Sequence, residues 1–282
     1  MDTAPTLPSV TGACTTPISI LLINPNSTPS MTAACLRSIG ETLPPMVTVH
    51  GFTAPPSAPS AIEGRADAVL SAADCFRSVV LMTKSQKFDA FLVACFSAHP
   101  LIPMLREEFT QPAIGIMEAA LYASRMCGDR LGIVTTGQRS RFLHEDAIAL
   151  SYGLGSFSAG CETSDLGVLE LESKPKEEVY VALVAAARRL VERGADCICL
   201  GCAGMTEMQQ VCSEAVKMNE REVMVVDGVA MGVQFLIGLL SIASSCSPPT
   251  FFISPHTSQF LISPKSRYFG LPRRVSRPIR LC

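Results

Sequence analysis

The chain has 282 residues, is 48% hydrophobic and only 17% charged, and carries a formal net charge of −2. That balance describes a globular protein with a large core, in one large or two small domains, and gives no general pull toward nucleic acid or an anionic membrane. Twelve cysteines lack regular spacing, and the N-terminus has neither a basic start nor a long apolar run, so free thiols in a reducing cytoplasm are expected rather than a secreted disulfide framework.

Residues 1–16, rich in Pro, Thr and Ser, read as a loose leader. Ile18 to Ile23 predicts a first strand. The following Asn24-Pro25-Asn26-Ser27-Thr28-Pro29 carries turn and N-cap chemistry ahead of a helix over Met31 to Ile39. Met46 to Gly51 predicts a second strand, and the proline-rich Thr53 to Ser60 a loop. Ile62 to Val80 has helical spacing, with Ala68, Ala72, Cys75, Phe76 and Val79 on one stripe. Phe88 to Ala94 is a buried strand ending at Cys95. A short helix (Ile102 to Phe109), a short strand (Ala113 to Ile116) and a helix (Glu118 to Met126) follow.

The pattern then begins again. Arg130 to Thr135 is a strand running into Thr135-Thr136-Gly137-Gln138, followed by helices over Ser140 to Leu150 and Glu177 to Arg193. Asp196 to Leu200 is a strand ending at Gly201-Cys202. Helix Met208 to Lys217, strand Glu222 to Val226 and helix Gly228 to Ile242 complete the series. The apolar run from Val233 to Ile242 includes Gln234 and is too short to span a bilayer. Residues 244–282 are rich in Ser, Pro and Arg, have no acidic side chain and are expected to be disordered, with docking to an acidic partner and a gene-model error as the alternatives.

Three features recur at nearly constant spacing: Ile23 and Val134 before polar loops, Cys95 and Cys202 closing apolar runs, and Gly115-Ile116 and Val226-Asp227 before a helix. Strands alternating with helices in a duplicated chain predict the α/β class, as two pseudo-symmetric parallel-sheet α/β domains, with an ordinary single α/β sheet of coincident spacings as the alternative. The active site is then expected in the cleft between them, beyond the carboxyl ends of the strands.

If the halves face each other, Cys95 and Cys202 meet across one cleft. Two opposed acid/base groups are what an enzyme needs to invert a carbon acid without a cofactor. Amide dipoles at the start of a following helix are expected to lower the thiol pKa toward neutrality. Cys197, Cys199 and Cys202 form a Cys-x-Cys-x-x-Cys run, but on a strand the first two point together into the core and no second ligand pair follows, so no metal is expected. Asn24, Asn26, Ser27 and Thr28, like Thr135 and Thr136, serve as helix caps and also face the ligand end of the sheet. No Gly-x-Gly-x-x-Gly, phosphate loop or serine elbow is present, so no nucleotide cofactor is expected. Glu63 reads as a solvated carboxylate at a helix start, and Asp227 as a cap for the last helix.

Several segments resemble the aspartate/glutamate racemase superfamily and, within it, the hydantoin racemase branch. They are Ile-Asn-Pro-Asn-Ser at 23–27, Ala-Ile-Glu-Gly at 61–64, Ala-Cys-Phe-Ser at 94–97, Gly-Ile-Met-Glu-Ala-Ala at 115–120, Leu-Gly-Ile-Val-Thr-Thr at 131–136, Leu-Gly-Cys-Ala-Gly-Met at 200–205 and Val-Asp-Gly-Val-Ala at 226–230. The resemblance implies one α/β domain over 17–113 plus 223–243 and a second over 114–222, the last strand and helix returning to the first. It implies proton transfer through Cys95 and Cys202 from opposite faces of a small-molecule substrate, with no cofactor. Asn24, Ser27, Phe96, Ser97, Thr135, Thr136, Ala203 and Gly204 are the implied binding residues. No nucleic-acid or membrane partner is implied, and a homo-oligomer is compatible with the pattern.

The branch bears on the substrate. Amino-acid racemases of this superfamily place Asn-Thr after the first cysteine and Thr-His after the second. Phe96-Ser97 and Ala203-Gly204 stand there instead and suit a neutral hydantoin ring, allantoin included, better than an α-carboxylate. An amino-acid racemase or related isomerase, and a catalytically silent small-molecule-binding protein of the same fold, are the alternatives.

Overall fold

Eight short strands form two separate four-stranded sheets of the same design in the computed structural model, which describes residues 16–217 and 223–245. The expected leader and nearly all of the expected disordered tail lie outside the described residues. The first sheet contains β1 (Ile18–Asn24), β2 (Val47–Thr53), β3 (Ala90–Val93) and β4 (Ala113–Gly115) in the order β2-β1-β3-β4, all parallel. The second contains β5 (Leu131–Thr135), β6 (Ser158–Thr163), β7 (Cys197–Leu200) and β8 (Met224–Val226) in the order β6-β5-β7-β8, again all parallel. The order matches position by position, so the chain is two parallel-sheet α/β units in tandem. The inner strands read as unbroken apolar runs because helices cover both faces; every residue of β3, β5 and β7 is buried.

The helices are α1 (Pro29–Ile39), α2 (Arg65–Met82), α3 (Leu101–Glu108), α4 (Ile116–Arg125), α5 (Gln138–Asp146), α6 (Glu170–Ser173), α7 (Lys176–Glu192), α8 (Gln209–Ala215) and α9 (Gly228–Ser245). Pro29 opens α1, where its missing N–H costs nothing. In α2 the buried positions are Ser71, Ala72, Cys75 and Val79, which include three residues of the predicted stripe. The sequence carries no strand signal over β6, because Ser-Ala-Gly-Cys-Glu-Thr lacks an apolar run. It is an edge strand, and its Glu162 faces outward to Arg189 of α7 at 2.8 Å.

The two units are joined by an exchange of helices. α4 leaves the first sheet but packs on the second, where Ser124 Oγ lies 3.0 Å from Cys199 Sγ of β7 and the Cys199 thiol also approaches the Ala120 carbonyl at 3.7 Å. α9 leaves the second sheet and packs on the first, with Gly232 seated against Leu92 of β3 and Gln234 donating to the Thr42 carbonyl. One core cluster therefore runs through both sheets and includes Leu22, Leu92, Met117, Ala120, Ile133, Cys199, Val229 and Leu236.

The segment 223–243, expected as a whole in the first unit, is divided between the two sheets. β8 pairs with β7 (Cys197↔Met224), because a parallel ladder is set by the neighbouring strand; α9 alone returns to the first sheet through its side chains. Asp227 caps α9 as expected, accepting from Val229 N–H at 2.7 Å, and its other oxygen takes the Thr206 hydroxyl.

Gly228 sets how closely α4 and α9 approach, since a Cβ there would lie 2.4 Å from the Ile116 carbonyl oxygen, which is backbone and cannot swing away. Gly228→Ala is expected to cost about 2–3 kcal/mol. Gly232→Ala, whose Cβ would meet only the movable Leu92 methyl, is expected to cost about 1 kcal/mol. Urea unfolding followed by circular dichroism measures both, and equal costs would reject the backbone contact as the limiting one.

Candidate active site

Ligands of parallel sheets collect beyond the carboxyl ends of the strands, where the strand order reverses. In both sheets that reversal falls beside the third strand in sequence. Cys95 follows the end of β3 by two residues, and Cys202 follows the end of β7 by two. Equivalent positions in two facing units bring both half-buried thiols to one cavity of about 50 Å³. The signal along the chain is simple: one small residue, Ala94 or Gly201, separates the end of each buried strand from its cysteine.

Five of the sequence-derived site residues line that cavity: Cys95, Phe96, Thr136, Cys202 and Ala203. The others support the lining. Asn24 is buried beneath the first loop, its amide donating to Asn26 Oδ1, the Thr28 carbonyl and Thr32 Oγ1; Asn26 is the one that reaches the cavity. Ser27 donates to the Ala58 carbonyl and ties the 54–64 loop to the end of β1. Ser97 Oγ contacts Cys95 Sγ at 3.2 Å, and Gly204 N–H donates to Cys202 Sγ at 3.4 Å, so both touch the thiols rather than the open space. Thr135 is wholly buried, and Thr136 bonds Ser140 at the start of α5.

Sequence reasoning missed Met31, Ile62, Val168 and His144 as lining residues. Ile62 and Val168 come from loops of opposite units, joined where Glu63 Oε1 accepts from Val168 N–H at 3.2 Å. Glu63 is thus a bridge between the units rather than a merely solvated carboxylate. Arg37–Glu207 and Arg65–Asp146 also cross between the units, at 2.8 and 3.0 Å; both are exposed and screened by solvent, and so are weak. His99, four residues after Cys95, lies outside the cavity lining. Its Nε2 meets Ser71 Oγ of α2, and its Nδ1 accepts from Leu101 N–H at the start of α3.

The thiols are not poised near neutrality, contrary to the expectation from helix dipoles. Burial pushes Cys95 up to about 11 against the opposing pull of the Ser97 hydroxyl. Burial pushes Cys202 up to about 12; the Gly204 N–H opposes this, while Cys95, Glu172 and Glu63 add to it. The dipoles are weak here. Cys202 is followed by a short 3-10 turn, Ala203–Met208, and α3 begins only at Leu101, well past Cys95. Cys197 and Cys199 point under α4 into the core, with their thiols hydrogen-bonded to α4.

Two like parallel sheets with a thiol from each over a shared cavity define a two-unit α/β isomerase architecture, and comparison with known proteins agrees. The Asp/Glu/Hydantoin racemase family model matches residues 20–236. Protein C1F7.10 of Schizosaccharomyces pombe is 42% identical over 79% of this chain and 92% of its own length. The hydantoin racemase of Rhizobium meliloti is 32% identical over 84% and 94%. The allantoin racemase structure from Pseudomonas fluorescens superposes with a TM-score of 0.72 at 27% identity, covering 86% of this chain and all of that one. The chain belongs to the Asp/Glu/hydantoin racemase family, a class of isomerases acting on small molecules. Among the described residues no helix is long and apolar enough to cross a membrane.

Burial lowers both His99 and His144 to about 4. A base whose folded pKa lies below its unfolded value of about 6.5 makes the unfolded chain bind more protons between those two values, so stability falls as pH drops through that window. The expected loss between pH 7 and pH 5 is ~2 kcal/mol per ring. Denaturant unfolding at the two pH values measures it, and His99→Gln should remove about half of the total.

Proposed function

We propose that the protein is a cofactor-independent racemase that inverts the C5 centre of hydantoin-type compounds, 5-substituted hydantoins or allantoin, by two-base proton transfer between Cys95 and Cys202. The observation that carries this reading is the equivalent placement of the two thiols, each two residues beyond the same strand of two like units and both on one cavity. The names of the Rhizobium and Pseudomonas relatives support the substrate class. So does the lining: among its described residues there is no Lys or Arg to hold a carboxylate, while Phe96, Ala203 and Gly201 offer apolar surface and backbone. The free thiols of the described residues support a cytoplasmic setting.

One cysteine, as thiolate, takes the C5 proton and becomes a thiol; the electron pair left on C5 spreads into the ring carbonyl as an enolate. The opposite thiol then gives its proton to the other face of C5 and is left as the thiolate. One proton has moved in and one out, so the product is the mirror image and the enzyme is ready for the reverse turn. Enolate oxygen needs hydrogen-bond donors; Asn26, Thr136 and the loop amides after each cysteine are the groups at hand. The buried environment that raises the thiol pKa values also makes each thiolate a stronger base toward a weak carbon acid once it forms.

In D2O, each enantiomer of allantoin and of several 5-substituted hydantoins is expected to lose optical rotation while gaining deuterium at C5. Cys95→Ser and Cys202→Ser should each lower racemisation by at least about 10³-fold. One enantiomer can still exchange in each variant, because a single base suffices to remove a proton. Racemisation surviving in either variant rejects the two-thiol assignment.

Thiols titrating at about 11 and 12 leave little thiolate at neutral pH. For substrates whose own ionisation is constant over the range, kcat/KM is expected to rise roughly tenfold per pH unit from about pH 6 to 8. A plateau beginning near pH 7 would show that one thiol is already ionised in the free enzyme.

A further inference from the structure

Among the described residues, His144 is the one titratable side chain of the cavity lining that the two-thiol mechanism does not use. It stands in the last turn of α5, in the second unit, and is only 5% exposed. Its ring reaches the first unit and meets the Phe96 ring edge-on, with centroids 5.3 Å apart and planes at 69°. The ring also hydrogen-bonds the backbone of Phe96, the residue directly after Cys95. Its Nδ1 has no hydrogen-bond partner.

A buried polar atom without a partner is costly and calls for an explanation. His99 provides an internal contrast: it is equally buried, yet both of its nitrogens are engaged, by Ser71 and by Leu101. A histidine with only a structural task in this fold is therefore fully bonded. His144 is bonded on one side and unpartnered on the other, and it lines the cavity that holds the two cysteines.

The ring's protonation decides what the unpartnered nitrogen can receive. A neutral imidazole has one N–H and one lone pair. The Phe96 backbone contact favours the ring as donor, so the N–H is directed to that carbonyl and Nδ1 is left with the lone pair. Nδ1 is thus an acceptor waiting for a donor. A cyclic ureide carries such donors, its ring N–H groups, whereas a carboxylate offers only further lone pairs.

Resting on the hydantoin reading above, we propose that His144 is a substrate-binding, specificity-determining residue whose Nδ1 accepts a hydrogen bond from a ring N–H of the cyclic ureide. This assigns the imidazole to recognition rather than proton transfer at C5. It also gives the second unit a polar contact to the substrate besides the thiol of Cys202.

The test combines variants with N-methylated substrates. 5-Methylhydantoin and its N1-methyl and N3-methyl derivatives are offered to the wild-type chain, to His144→Phe and to His144→Asn, with C5 deuteration and direct calorimetric binding both followed. His144→Phe should lower kcat/KM for the parent compound by ~10- to 100-fold, mainly through KM. One of the two methyl derivatives should be a poor ligand for the wild type and no poorer for His144→Phe, since the hydrogen bond is already absent. His144→Asn, which can place an amide oxygen near the Nδ1 position, should recover part of the loss.

Equal losses for all three compounds, or no loss for the parent, would overturn the assignment. So would a wild-type enzyme that takes both methyl derivatives as well as the parent, a result that stands even if His144→Phe does not fold. Exchange that ignores His144 overturns this assignment alone. A wild-type chain that neither binds nor exchanges any cyclic ureide overturns the substrate class and the role of His144 with it.

Discussion

The exchange of α4 and α9 between the sheets is the constraint on which the rest of the molecule depends. Two four-stranded parallel sheets, each covered only by its own helices, would be two separate bodies with two separate sets of strand ends. Instead each unit lends its last helix to the other, and the two helices meet at the Gly228–Ile116 crossing. The core that results is continuous from Leu22 to Cys199, so neither sheet can rotate without breaking apolar packing in the other. That rigidity makes the positions after β3 and β7 face a common space. The exposed ion pairs across the mouth are too weak to do this.

A second consequence is the environment of the thiols. The loops after β3 and β7 line the cavity from both sides, and Ile62 and Val168, from the loops after β2 and β6, are brought together by the Glu63 bridge. Water exclusion raises both thiol pKa values, which leaves little thiolate in the empty site but strengthens it as a base once formed. Burial acts the same way on His144, which it keeps neutral and able to offer a lone pair. The same physical cause thus sets the ionisation of every titratable group on the cavity wall among the described residues.

Much of this was legible along the chain. Buried strands such as Ala90–Val93 and Cys197–Leu200 are unbroken apolar runs, and the helices between them have a clear period, so the α/β class and the duplication follow directly. Cys95 and Cys202 stand out because each ends such a run. β6 was not legible: an edge strand has little apolar face to bury, and Ser158–Thr163 carries no pattern. The roles within the Asn24–Thr28 loop were only half legible, since a side chain that caps a helix and one that meets a ligand are the same residue types. Both side chains are hydrogen-bonded, and only their placement separates Asn24, beneath the loop, from Asn26, on the cavity.

What the sequence by itself determined is the set of local elements, their repetition, and the chemical identity of the two thiols, because these depend on periodicity and on contacts between near neighbours. What only the tertiary structure decided is that β8 joins the second sheet, how far burial moves the thiols, and that His144 of α5 lies against Phe96. Each of these depends on groups far apart in the chain brought together at low dielectric. No residue pattern along one segment encodes the distance between two segments, and so none of them could be read before the sheets were placed.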